Sequence, residues 1–486
     1  MDKSVLEKYQ PVIGLEVHAQ LSTESKMFAP DFNEFGNLPN TNISVITLAH
    51  PGTLPKINKR AVEFAIKMGL ACNCEINPYN FFDRKNYFYP DLPKGYQTTQ
   101  DKAPICKGGF IKIRLKSGEE KTIRLNRIHL EEDAGKNMHL EGETDTLVDY
   151  NRAGVPLIEI VTEPDLRSSE EAYALMQEIR KLVRYLEICD GNMEEGSLRC
   201  DANISIMPKG SNKYGKKVEV KNMNSFRNVQ RAVEHEIERQ IMEVEKGNEI
   251  YSETRQFDAT TGLTSGMRTK EELNDYRYFP EPDLQPLVIS EEWLNKIKAS
   301  MPPLPQALYE KFTGTYGLPE YDASVLTETK EVALYFEELC QKTTNYKAAS
   351  NWVMGPVKSY LNELTLHMDD FPVTTDQIAE LIKLIEENKL NFASASQRVF
   401  PELTKGGNKS PLKVAEELNL IQESNADSIL PVINEVLAKY PAKVAEYRGG
   451  KKGLLGMFVG EVMRATKGKA DPKLTNELLV KALDEN

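Results

Sequence analysis

Ile13-Gly14-Leu15-Glu16-Val17-His18-Ala19-Gln20-Leu21 alternates with a period of two. Ile13, Leu15, Val17, Ala19 and Leu21 fall on one side, and Gly14, Glu16, His18 and Gln20 on the other. That is the pattern of a half-buried strand. Its apolar face belongs to a core, so its polar face must meet water, a ligand or a partner. Glu16 and His18 share that face with side chains about 7 Å apart. Taken alone, such a pair reads first as a surface pair.

The same period recurs outward from this stretch. Ile111, Ile113 and Leu115 alternate with Lys112 and Arg114; Cys200, Ala202, Ile204 and Ile206 alternate with Asp201, Asn203 and Ser205; Val218 and Val220 flank Glu219. Two helices interrupt the strands. One follows Ser168, with Glu171 placed to close a capping box and Leu175, Ile179, Leu182 and Leu186 as its stripe. The other follows Ser225, carries Phe226, Val229, Val233, Ile237, Ile241 and Val244, and ends at Gly247.

Strand patterns stop after Trp293. Met301-Pro302-Pro303-Leu304-Pro305 leads into helical periodicity at 306–313, 323–341, 345–363 and 375–388, the last capped by Thr374 and Gln377. Thr404 to Ser410 reads as a hinge, followed by short helices at 411–420, 425–438 and 441–447 and more helix from about 454. The residues thus predict an α/β catalytic body followed by two all-helical modules, bounded as 1–293, 294–408 and 409–486. At 486 residues, with 40% hydrophobic and 28% charged, there is apolar mass for several cores.

The segment Met1 to Tyr9 is polar, so no signal peptide is expected, and no stretch is apolar enough for a membrane helix. Cys72, Cys74, Cys106, Cys189, Cys200 and Cys340 form no Cys-x-x-Cys pair and read as reduced cysteines of a cytoplasmic protein. A net charge of -12 argues mildly against a nucleic-acid coat. The exception is Lys439 to Lys473, with a local excess of +6 that includes Lys451, Lys452, Arg464, Lys467 and Lys469. Composition leaves two readings of it: a polyanion footprint, or a solvated helical face.

Chemistry-bearing residues concentrate in the first body. His129, Glu131, Glu132 and Asp133 follow the strand-like Ile123-x-Leu125. Glu159 lies inside the apolar run Pro156 to Val161, where a carboxylate needs a cation or an arginine such as Arg152 or Arg167. Several carboxylates with one imidazole suit Mg²⁺ or Mn²⁺ better than calcium or a thiolate zinc centre. Asp201, Glu219 and Lys221 belong to polar strand faces near Arg199 and Asn222. Arg255, Arg277 and the segment Tyr276 to Asp283 add cations. Acids for metal and Lys or Arg for phosphate are what phosphoryl transfer requires. Neither a GxxxxGK[ST] loop nor the protein-kinase motifs occur.

Longer motifs carry the reading further. Gly14 to Leu21 resembles the opening of the B subunit of aspartyl/glutamyl-tRNA amidotransferases. So do Phe82 to Lys94, His129 to Lys136, Glu194 to Asn203, Glu219-Val220-Lys221-Asn222, Asp275 to Asp283 and, in the tail, Gly456 to Thr466. The resemblance implies an α+β cradle-like catalytic domain built on antiparallel sheet, then two helical modules. It implies a heterotrimer with an amidase A subunit and a small C subunit. ATP would phosphorylate the side-chain carboxylate of Glu-tRNA(Gln) or Asp-tRNA(Asn), and ammonia channelled from the amidase would complete the amide. His18, Glu132 and Glu159 are implied as the most secure metal ligands, with Glu16 and Glu131 for a second, more transient cation. Lys221 joins them at the reacting centre. Lys85, Arg199, Asp201, Glu219, Asn222, Arg255 and Arg277 are expected about the nucleotide, and the basic tail on the tRNA. Two competing readings are a non-catalytic tRNA-binding scaffold and a metal-dependent hydrolase. The carboxylates oppose the first, because a surface facing RNA gains from Lys and Arg; the lack of a nucleophile and base opposes the second. Family members often carry Cys-x-x-Cys at the positions of Ser44 and Thr47, so no zinc is expected here and ordinary packing should hold the loop from Asn33 to Leu54.

Overall fold

The Ile13–Leu21 alternation becomes a twelve-residue strand, Tyr9–Gln20 (β1), at the middle of a ten-stranded sheet. In this computed structural model the described residues are 3–139, 142, 144–269, 276–407, 409–421, 426–466 and 468–484. The other strands of the sheet are Glu75–Ile76 (β2), Cys106–Lys107 (β3), Phe110–Arg114 (β4), Glu120–Glu132 (β5), Pro156–Thr162 (β6), Leu198–Pro208 (β7), Val218–Lys221 (β8), Glu253–Phe257 (β9) and Thr264–Thr269 (β10). Their order is β10-β9-β8-β7-β1-β6-β5-β3-β2, with β4 also paired to β5.

Every pair is antiparallel except β8 with β9. The exception has a cause in the chain: the helix between those strands carries it back to the starting end, and strands joined by such a crossover run parallel. Lys59–Ala71 (α1), Ser169–Tyr185 (α2) and Phe226–Glu245 (α3) pack on one face of the sheet. There Ile13, Leu15, Val17 and Ala19 join Ile158, Ile160, Cys200 and Ala202 in one core. The opposite face is left for polar side chains.

Caps follow the sequence with one difference. Ser168 accepts from Glu171 N at 3.1 Å, but the Glu171 carboxylate takes Arg167 N at 2.7 Å and the Lys121 amine at 2.7 Å. Those partners outcompete the Ser168 N–H, so the capping box is only half formed. The Thr374–Gln377 box is complete. Gly247 ends α3 with φ +84°, a conformation that glycine adopts without steric cost.

The first compact unit runs Met1–Pro305 and the second Gln306–Asn486. Helix Glu291–Ala299 (α4) packs on α1 in the first unit, where Trp293 Nε1 donates to Glu63 at 3.1 Å. The second unit is all helical among the described residues. The expected helix 323–341 is two, Glu320–Leu326 and Lys330–Cys340, separated at Thr327–Thr329 where the Thr327 hydroxyl turns back onto the Ala323 carbonyl. Gly406 and Gly407 have φ +86° and +100°. Past them, Ser410 and helix Pro411–Glu417 pack back onto helix Thr375–Glu386, with Ser410 Oγ donating to Glu380 at 2.7 Å. Helices Ala426–Lys439, Pro441–Arg448, Leu455–Ala465 and Pro472–Asp484 close a separate core around Ile433, Phe458, Val462 and Leu479.

The loop expected to rely on packing is tied by hydrogen bonds. Asp31 Oδ2 accepts from Ser44 Oγ at 3.1 Å and from Thr47 Oγ1, and Asn42 N donates to Asn151 Oδ1 at 2.8 Å.

Candidate functional site

Register across the sheet builds the site. His18 lies opposite Glu159, and Glu159 opposite His129, so one row crosses β1, β6 and β5. On the other side of β1, His18 faces Arg199 and Glu16 faces Asp201. Residues two apart share a face, so Glu131 stands beside His129 on the polar side. His18 Nε2 is 3.4 Å from Glu159 and 3.8 Å from Glu131. His129 Nε2 is 3.4 Å and 3.7 Å from the same two carboxylates.

One ligand atom each from His18, Glu131 and Glu159 lies within 4.8 Å of the others, a spacing that a single cation can bridge. Their one nitrogen and two carboxylates are a donor set for Mg²⁺ or Mn²⁺. Burial disfavours the charged imidazoles, yet the flanking carboxylates outweigh it: His18 is raised, and His129 is pushed up to about 9. Burial also opposes ionisation of Glu159, and the two histidines overcome it, holding its carboxyl well below the usual range. A protonated His129 thus offsets part of the charge of Glu131 and Glu159.

Glu132 is not brought to this cluster. Its carboxylate leaves β5 on the opposite side, where Lys94 Nζ donates to it and Thr98 N reaches it at 3.0 Å. The structure places Glu131 where Glu132 was expected.

The cluster opens into a cleft of about 620 Å³. Lys85, Arg199, Asp201, Lys221 and Asn222 line it together with His18, Glu131 and Glu159. Lys221 is bound to Asp201 at 2.6 Å and to Glu219 at 3.3 Å. Burial opposes its charge, but these acids hold it cationic. Lys85 lies 4.7 Å from the centre of the Tyr276 ring. Asn222 sits at φ 65°, turning the chain at the cleft wall directly after β8.

Other expected residues lie elsewhere. Glu16 accepts from Asn203 at 2.8 Å and lines an adjoining cavity of about 430 Å³; burial and then Glu159 raise its pKa. Glu219 sits at the edge of the group through Lys221 and Thr254. Arg255 is turned away: it pairs in register with core-facing Val220, so its guanidinium meets Glu253 at 2.8 Å and the fully buried Glu236 of α3 at 3.7 Å. Arg277 is exposed on a small separate sheet, opposite Asn86.

In the tail Lys451 pairs with Glu446 at 3.2 Å, Lys452 with Asp484 at 2.8 Å, and Arg464 with Glu461. Lys469 is half-buried, and Lys467 lies outside the described residues.

The cleft also contains groups that sequence reasoning gave no role. Arg152, weighed only as a partner for Glu159, lines the cleft beside Asp133 and Gln97. Strand parity placed His129 with Glu131, and that was the available signal for its place in the row. No local pattern pointed to Gln97.

Two family models cover this architecture: a GatB/GatE catalytic domain matches residues 11–295, and a GatB domain matches 334–483. The chain belongs to the GatB family. Among its relatives, a protein of Thermodesulfovibrio yellowstonii is 50% identical over 478 residues, covering 98% of this chain and 100% of the relative. One of Geotalea uraniireducens is 51% identical over 481 residues, covering 98% and 100%. One of Clostridium botulinum is 47% identical over 471 residues, covering 97% and 98%. Each of these three is known as the B subunit of an aspartyl/glutamyl-tRNA(Asn/Gln) amidotransferase. The GatB-type catalytic match spans every strand of the large sheet beyond the first two residues of β1, and so contains the whole His18–Glu131–Glu159 row.

Proposed function

We propose that this chain is the ATP-using subunit of a tRNA-dependent amidotransferase, acting on the side-chain carboxylate of Glu-tRNA(Gln), Asp-tRNA(Asn) or both. The carrying observation is one cleft that joins the His18, Glu131 and Glu159 cluster to Lys85, Arg199 and Lys221. Likeness to amidotransferase B subunits over nearly the whole length supports the same reading. It gives no support to a pure scaffold.

In the proposed reaction a carboxylate oxygen attacks the γ-phosphorus and ADP leaves. Ammonia then attacks the acyl carbon, phosphate leaves with the bonding pair, and one proton passes from the nitrogen to the departing phosphate. His18, Glu131 and Glu159 would hold Mg²⁺ or Mn²⁺, which supplies charge neutralisation to the transferring phosphoryl group. Lys85 and Arg199 offset the remaining anionic charge at the cleft wall. Lys221 carries two acids, so its part is to orient Asp201 and Glu219 as much as to face phosphate. The cleft must exclude water at the second step, because water competes with ammonia for the acyl phosphate.

The partners proposed are an amidase subunit that releases ammonia from glutamine and a small third subunit, with the helical tail on the tRNA. ATP cleavage by the assembled complex decides the matter. It should depend on mischarged tRNA. ATP cleavage and amidation that persist at the wild-type rate in a complex carrying Glu131→Gln or Glu159→Gln would assign the chemistry to a partner and leave this chain as a scaffold.

A further inference from the structure

Asp133 is almost fully buried at the end of β5, yet two guanidinium groups converge on one of its oxygens. Oδ2 accepts from Arg199 Nη2 at 2.9 Å and lies 3.8 Å from Arg152 Nε. Gln20 Nε2 donates to the same oxygen at 2.7 Å, and Ala134 N to Oδ1 at 2.9 Å. The carboxylate is thereby saturated. The guanidinium groups are not. Arg152 gives Nε to Ala134 O at 2.9 Å and Nη2 to Gly135 O at 2.6 Å. Arg199 gives one N–H to Asp133, and among the described residues its other donors and Nη1 of Arg152 meet no protein acceptor. An arginine offers five donors in a rigid fork, and the side chains of Arg152 and Arg199, 35% and 33% exposed, open onto the cleft with those donors available to a ligand.

Asp133 is within ion-pair distance of both arginines, one carboxylate for two guanidinium groups. Both arginines line the cleft, and Arg199 stands opposite His18 in register. An anion held there would adjoin the cation-binding row.

We propose that Arg152 and Arg199, locked by Asp133, form a clamp for a planar or tetrahedral oxyanion, with Asp133 as the positioning residue. The clamp rests on the proposed function for the identity of its ligand, which is either a phosphate of the nucleotide or the carboxylate of the aminoacyl group. The shared chemistry is a fork of N–H donors on an oxyanion.

The test uses the full chain in its assembled complex, with Arg152→Ala, Arg152→Lys and Asp133→Asn. ATP and glutamyl-tRNA are varied separately while ATP cleavage and amidation are followed. Arg152→Ala should raise one KM about tenfold, the loss expected for one charge-assisted hydrogen bond, with kcat much less affected. A rise for ATP identifies phosphate, and a rise for glutamyl-tRNA identifies carboxylate. Arg152→Lys should recover little, since lysine lacks the fork. Adding Arg152→Ala to Asp133→Asn should cost less than the two separate effects combined, because both disable one unit. Calorimetry with inorganic triphosphate and with glutamate reads the same clamp without turnover, so it stands apart from any failure of the proposed reaction. Both KM values unchanged in the Arg152→Ala complex, or binding of these anions that Arg152→Ala leaves intact, would overturn the clamp.

Discussion

Glu131 and Glu132 are consecutive residues of one strand, and their carboxylates serve opposite sides of it. Glu131 stands 3.8 Å from His18 and 3.7 Å from His129, whereas Glu132 binds Lys94 and the Thr98 N–H. Glutamine substitutions should therefore separate them. Glu131→Gln and Glu159→Gln should abolish high-affinity Mn²⁺ binding and cut tRNA-dependent ATP cleavage by about 10²-fold or more, as for loss of a group stabilising transition-state charge. Glutaminase activity of the partner should persist. Glu132→Gln should keep Mn²⁺ binding and release Lys94. Titration of bound Mn²⁺ by electron paramagnetic resonance reads all three, and loss of the ion in Glu132→Gln equal to that in Glu131→Gln would contradict the geometry.

The Asp31 tie gives a second expectation. One carboxylate oxygen holds both Ser44 and Thr47. Asp31→Ala should lower the thermal midpoint by an amount equivalent to about 1–3 kcal/mol, the cost of stranding part-buried hydroxyls. It should also speed proteolytic cleavage between residues 33 and 54. Ser44→Ala with Thr47→Val should reproduce the effect and add little to Asp31→Ala. Metal analysis of the purified chain should find no stoichiometric zinc surviving a mild chelator; one zinc per chain would mean that other ligands close this site.

How much of this was readable beforehand depended on whether a position is governed by its own strand or by a distant one. The polar face of β1 followed from period two alone, and the same parity groups Glu131 with His129 and sets Glu132 apart. Placing Glu132 with His18 and Glu159 ignored that parity. Arg255 was a different case. Its direction is set by pairing with Val220 across a parallel crossover, and by the buried Glu236 on the intervening helix. No window around Arg255 contains either fact. Arg152 was similarly opaque, because its carbonyl partners at Ala134 and Gly135 come from the far side of a hairpin. The helical half was easier, since caps and apolar stripes are local.

Lys26 supplies a pH signature. It is 1% exposed, with its amine donating to Asn42 O at 2.6 Å and Tyr150 O at 3.3 Å. Burial pushes its pKa down to about 8, with Asp31, Asp149 and Glu132 offsetting part of the effect. Below pH 8 the amine is charged in both folded and unfolded chains, and its burial costs stability. Between pH 8 and 10.5 the folded amine is neutral while the unfolded one still binds a proton, so this group makes stability rise with pH. Relative to Lys26→Met, the wild-type chain should gain on the order of 3 kcal/mol across that window. Denaturant midpoints of both proteins at several pH values measure it; parallel curves would show that Lys26 does not titrate there.

The basic tail is the remaining expectation, and its ion pairs change how it should be tested. Lys451, Lys452 and Arg464 are each engaged by an acid of the same module, so their charge is partly spent before any polyanion arrives. Such exposed pairs are worth roughly 0–1 kcal/mol and can reopen toward phosphate. Each phosphate contact then releases condensed counterions and makes affinity fall with salt. Because Pro411–Glu417 packs on helix Thr375–Glu386, a clean truncation should keep it and remove residues 426–486. That truncation should weaken tRNA binding and raise the KM for charged tRNA, with Mn²⁺ binding unchanged. Reversing Lys451, Lys452, Lys467 and Lys469 to Glu should act similarly at low salt and less at high salt, where screening already removes the wild-type contacts. Breaking the internal pairs with Glu446→Gln and Asp484→Asn should do the opposite, freeing Lys443, Lys451 and Lys452 and tightening tRNA binding by a few-fold at low salt. Affinities at two salt concentrations for all three variants separate the roles. Folded variants with wild-type affinity and wild-type salt slope would return these lysines to an ordinary solvated surface.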